Sequence, residues 1–156
     1  MSSLEEILKK LPGSNIDPRS LLSTDYFNHF NEVIMMLNML PDMPELLDDV
    51  DTWQFKTYTE HFSESGLGWG NLAIEAYFKA PSDTREKFDR LAIQMNDMIT
   101  ETRRLLRNAL EDGNLEKFKE MALMHSMELQ GMVDDGGAMV HGYKGAVDQA
   151  VIDKMF

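Results

Sequence analysis

Two stretches in the second half of the chain repeat apolar residues at three- and four-residue spacing, and that repeat leaves few options for the fold. Over residues 82–112, Phe88, Leu91, Ala92, Met95, Met98, Ile99, Leu106, Ala109 and Leu110 fall on one helical stripe. Ser82 or Asp83 is placed to cap this helix, Asp112-Gly113 stops it, and Asn114 caps the next. Beyond it, Leu115, Phe118, Met121, Ala122, Leu129, Met132 and Val133 share a face. Continued at about 100° per residue, that face takes in Gly136, Met139, Val140, Tyr143, Val147, Ala150 and Val151. One helix over 114–153, or two broken at Gly136-Gly137, would satisfy the pattern. The unbroken phase favours the single helix.

The first half is more punctuated. Tyr26, Phe27, Phe30, Val33, Ile34, Leu37 and Leu40 mark the buried face of a helix over 24–40, with Thr24 or Asp25 as its cap and Pro41 as its end. Its second half is apolar nearly all round, as in a central helix or one covered by a second chain. Residues 41–70 read as irregular, with short helices at 45–50 and from a Thr57/Glu60 capping-box pattern to about 65. Another helix spans 71–79. No segment alternates long enough to be a strand. The expected fold is an all-α antiparallel helical bundle, with two long C-terminal helices and short ones in the middle. Residues 1–20 read as a short helix and a linker rich in turn residues, either a mobile arm or a packed segment; 21–156 is a single domain.

Composition narrows the chemistry. The 156 residues include no cysteine, which excludes disulfides, a thiol nucleophile and cysteine-ligated metal. The formal net charge of −12 argues against a nucleic-acid partner. The N-terminus lacks the basic start and apolar core of a secretory signal, and Val33–Leu37 is too short an apolar run to cross a membrane. These point to a soluble, cytoplasmic protein with no membrane partner.

Charge is unevenly distributed. Between Asp42 and Glu64 stand seven acids and one base, Lys56, mixed with Trp53, Phe55, Tyr58 and Phe62. Such a segment either docks a basic partner or plugs the end of the bundle with its aromatics. Arg103, Arg104 and Arg107 lie within one helical turn. They can hold a phosphate or carboxylate, pair with the acidic segment, or complement a helix C-terminus.

His-x-x-Glu occurs twice, at His29/Glu32 and His125/Glu128. On a helix each pair faces one way and can offer two metal ligands. Di-iron bundles use the reverse order, Glu-x-x-His. By rotation His125 falls near the centre of its apolar stripe, whereas His29 lies well off its own and Glu32 further out. An inward His125 needs a ligand, a metal or a hydrogen-bond partner. Haem held by His and Met, or an apolar ligand contacting His125, are variants of the same idea. His61 and His141 sit in polar contexts and read as exposed.

Phosphate-binding and nucleophile-elbow motifs are absent, and the Gly-x-Gly-x-Gly at 66–70 reads as a turn. Thirteen methionines are many for this length, and Met35, Met36 and Met39 are clustered. Methionine is over-used on adaptable binding surfaces. The leading expectation is a non-enzymatic interaction protein, an adaptor, scaffold or regulator that binds a protein partner or itself as a homodimer. Its contacts would be Met35, Met36, Met39, Trp53, Phe55 and Tyr58, with no cofactor. The alternative is a metal- or cofactor-binding bundle, an oxidoreductase or sensor, built on His125, Glu128, His29 and Glu32.

Overall fold

A computed structural model describes residues 3–141, and the protein is all-α. Among the described residues seven helices follow in order: α1 (Leu4–Lys10), α2 (Asn28–Met39), α3 (Leu47–Thr52), α4 (Tyr58–Glu64), α5 (Gly70–Lys79), α6 (Ser82–Glu111) and α7 (Leu115–Val140). Two 3₁₀ turns, Thr24–Phe27 and Pro44–Leu46, lead into α2 and α3.

Local chemistry sets most of the boundaries. Ser3 Oγ accepts the Glu6 amide at the start of α1, and Asn114 Oδ1 accepts that of Lys117 at the start of α7. Thr57 and Glu60 close the expected capping box on α4. Two caps differ from the sequence reading. Ser23, not Thr24 or Asp25, caps the entry to α2, because the chain begins with a 3₁₀ turn there. Neither Ser82 nor Asp83 caps α6, since both are already helical and Pro81 holds the cap position without a side-chain bond.

The helical stripes form one core. Tyr26, Phe27, Phe30, Val33, Ile34, Leu37 and Leu40 are all buried, as are Phe88, Leu91, Met95, Ile99 and Leu106 of α6. On α7 the buried set is Phe118, Met121, Ala122, Ser126, Leu129, Gly136 and Val140. Leu115, expected on this stripe, is exposed at the first turn. α6 packs mainly on α7, and α7 also packs on α2. Asn38 meets Ser126 and Phe27 meets Gly136, so α2 and α7 count in opposite directions along their seam.

α7 runs unbroken through Gly136-Gly137 to Val140. Gly136 is needed where it stands: a Cβ there would lie 2.1 Å from Phe27 Cζ. Gly142, Tyr143, Gly145, Val147, Ala150 and Val151 lie outside the described residues.

α1 packs against α5 and buries Ile7, while Leu11, Ile16, Leu21 and Leu22 join the same core. The linker is also tied to the end of α7. Ser20 Oγ donates to the Val140 carbonyl, and His141 Nδ1 lies 3.2 Å from Asp17 Oδ2. Burial alone would raise the Asp17 carboxyl. Hydrogen bonds from the Arg19 side chain and amide and from His141 outweigh it and hold the group at about 2.

Candidate functional site

The aromatic residues of the acidic segment turn inward. Trp53 is only 6% exposed; its Nε1 donates to the His29 carbonyl at 2.8 Å, and its ring stacks on the His29 imidazole. Tyr58 is buried too, and its hydroxyl accepts the Ser23 amide at 2.8 Å. Phe55 is half-buried beside Phe30. Trp53 and Tyr58 therefore present little surface to a partner, because large apolar side chains gain more by filling the end of the core.

The arginine cluster is occupied by the protein's own acceptors. Arg103 Nε and Nη2 donate to the Val50 carbonyl at 3.0 and 2.6 Å, and Nη2 also to the Trp53 carbonyl. The guanidinium thus serves the carboxyl end of α3, where cations are favoured, and lies 5.6 Å from the Trp53 ring. Arg104 pairs with Glu101, and Arg107 with Asp48 and Asp51. An incoming anion would have to displace these acceptors.

The two His/Glu pairs have separate surroundings, and their inward order is reversed from the sequence reading. His29 is the buried one, at 7% exposure, because Trp53 and Gln54 fold over the flank of α2. Its Nε2 donates to the Gln54 carbonyl at 2.5 Å, leaving Nδ1 facing Glu32 at 3.8 Å. Burial pushes the imidazole below its ordinary pKa. His125 is half-buried on the α6 side of α7, and Ser126 takes the inward position, donating to Asn38 Oδ1 at 2.5 Å. His125 Nδ1 lies 2.6 Å from Thr102 Oγ1, which donates to the Met98 carbonyl at 2.7 Å. A hydroxyl has one proton, so Nδ1 carries the hydrogen of the first bond. Glu32 and Glu128 are exposed. Among the described residues no group of three or more His, Cys, Asp or Glu is placed to hold a metal ion. His61 is half-buried and bonded to Asp25 Oδ2, not exposed as its neighbours in sequence suggest.

A cavity of about 230 Å³ opens between α4, α5 and α6, walled by Tyr26, Phe55, Tyr58 and Ala92. Its polar lining includes Thr57, Thr59 and Tyr77, and the Tyr77 hydroxyl donates to Asp89 Oδ2 at 2.5 Å. Burial raises the Asp89 carboxyl, partly offset by Tyr77 and Arg85. His125 does not line this cavity.

The α2/α7 seam differs from all of these. Asn38 and Ser126 sit in it, and Met35 and Met39 lie about 60° and 100° further round α2 toward solvent. Leu123 and Met127 stand in the same relation to Ser126 on α7, about 60° and 100° round. All four are exposed: Met35 61%, Met39 44%, Leu123 45% and Met127 75%. Met36 is half-buried beside them. Toward the other end the seam opens into a cleft of about 460 Å³ lined by Phe27, Asn28, Asn31, Val133, Asp134 and Gly137. A Cβ at Gly137 would meet nothing within 4 Å. Leu123 and Met127 escape the sequence reading because they lie off the buried stripe of α7. Their signal was apolar side chains on the polar face of a helix.

Among the described residues no helix is long and apolar enough to cross a membrane. No family model matches the chain, and neither a curated protein nor a solved structure is significantly similar to it.

Proposed function

We propose that this is a non-enzymatic interaction protein, an adaptor or regulator acting in the cytoplasm, and that its working surface is the α2/α7 seam. The observation that carries this reading is the line of exposed Met35, Met39, Leu123 and Met127 beside an open cleft. Contiguous exposed apolar side chains on a folded domain mark an interaction site more often than chance. Flexible methionines let one surface adapt to its partner. The titratable clusters supply little support for catalysis: each histidine and arginine considered above is bonded to a neighbouring group of the protein.

The test is site-specific photo-crosslinking in cells from Gln130, an exposed position on the seam side of α7, compared with the Met35→Glu/Met127→Glu variant. We expect a discrete crosslinked species that disappears in the double variant. Identical crosslinks in both proteins, with both folded, would remove the seam as the working surface.

A further inference from the structure

The seam carries a charge signature as well as an apolar one. Residues 20–55, which supply α2 and α3, contain seven acids and no lysine or arginine. α7 contains five acids against Lys117 and Lys119 in its first two turns, and past Lys119 residues 120–141 contain four acids and no lysine or arginine. The acids bracket the apolar side chains. Glu32 precedes Met35 by three residues and Asp42 follows Met39 by three; Glu120 precedes Leu123 by three and Asp134 follows Met127 by seven. All four are exposed, and among the described residues none of Asp42, Glu120 and Asp134 forms an ion pair.

From this we propose that the seam receives a basic amphipathic helix of a partner protein, apolar face down and lysines or arginines toward the acidic rim. The proposal rests on the interaction reading above and names the chemistry of its partner. Three features favour this occupant. The groove between two helices is the shape that takes a third helix, with anchors at three- and four-residue spacing. α2 has 12 residues, so the seam matches a partner segment of about three turns. The rim is mostly acidic, with Glu32, Asp42, Glu120 and Asp134 against one base, Lys119, which attracts a cationic segment and opposes a second copy of this acidic chain or an anionic lipid surface.

The chain has no cysteine, so one introduced residue can report on the seam alone. The probe is a synthetic leucine/lysine helix of about eighteen residues with leucines on one face. Its binding to full-length protein carrying Gln130→Cys with a fluorophore is measured at low and high salt. A peptide of the same composition with the leucines scattered round the helix is the control. Expected are saturable one-to-one binding, weakening at high salt, and about tenfold weaker binding for each of Met35→Gln and Met127→Gln, the factor set by burying one methionine. The scattered peptide should bind at least about tenfold more weakly, having lost the same apolar contacts.

Equal binding of both peptides would show attraction by charge alone and overturn the proposal. So would unchanged affinity in the methionine variants, whose fold is checked by circular dichroism. A cysteine crosslinker at position 130 that captures a second copy, or residues 142–156 of the same chain, and that excludes the peptide would replace the partner with that occupant. Loss of crosslinks in Met35→Glu/Met127→Glu cells without peptide binding would leave the seam as the working surface and reject only the basic helix. Failure of both would reject the interaction reading itself.

Discussion

The aromatic end of the molecule and the α2/α7 seam are both rich in large apolar side chains, yet they have opposite fates. At the aromatic end, Tyr26, Phe30, Trp53, Tyr58, Phe62 and Phe88 close over one another, and each polar atom drawn inside is bonded. Among the described residues no buried side-chain nitrogen or oxygen lacks a partner. Along the seam, the methionines and Leu123 remain in water, and the exposed Asn38 bonds the buried Ser126 between them. The difference teaches that apolar content alone does not distinguish a core from a docking surface. What separates them is whether the neighbouring elements can reach to cover it. The short α3 and α4 fold back over the aromatic end, and among the described residues nothing comparable crosses the seam.

Trp53→Ala gives the largest contrast. The substitution empties a buried site and removes the indole bond to the His29 carbonyl and the ring beneath Arg103, so we expect a loss of about 3–5 kcal/mol in denaturant unfolding. A variant that kept its stability but lost its partner would break the comparison, since Trp53 would then be part of the surface.

Next comes Gly136→Ala, where the new methyl meets the buried Phe27 ring. The expected cost is about 1–3 kcal/mol by the same measurement. Phe27→Leu in that background should recover part of it, which a double-mutant cycle resolves. Full additivity would mean that the two helices do not touch as described.

The closed end should also respond to pH. Burial holds the His29 imidazole below its ordinary pKa, so it resists protonation in the folded state. The unfolded chain takes up that proton near about pH 6.5. Stability is therefore full above that value and declines as pH falls below it, until the folded ring protonates as well. Thermal unfolding of His29→Gln between neutral and mildly acidic pH should show a shallower decline. An unchanged slope would assign the effect elsewhere.

The smallest effect on stability belongs to the seam. Met35→Gln, Met39→Gln and Met127→Gln should each move the unfolding free energy by no more than about 0.5 kcal/mol, as is usual for exposed positions. Losses several times larger would show that the seam is core after all.

Much of the fold was legible in the chain. The stripes on α2, α6 and α7, the Asn114 cap and the Thr57/Glu60 box follow from local periodicity and from side chains bonding their own backbone, so no distant residue was needed. The site was less legible. Met35 and Met39 can be picked out as part of a cluster, but the sequence leaves Trp53 and Tyr58 open between a docking surface and a plug of the bundle end. The inward ranking of the two histidines also came out reversed. His29 owes its burial to Trp53 and Gln54, 24 and 25 residues along the chain, and rotation within α2 contains no trace of them.

The sequence by itself determined that the chain is helical, where most helices start and stop, and that it is acidic and free of thiols, because these depend on residues within a turn of one another or on counting. Only the tertiary structure decided which apolar faces are covered. Coverage depends on the path of the loops: α3 and α4 close the aromatic end, and Gly136 lets Phe27 draw α2 against α7 while Met35, Met39, Leu123 and Met127 stay outside.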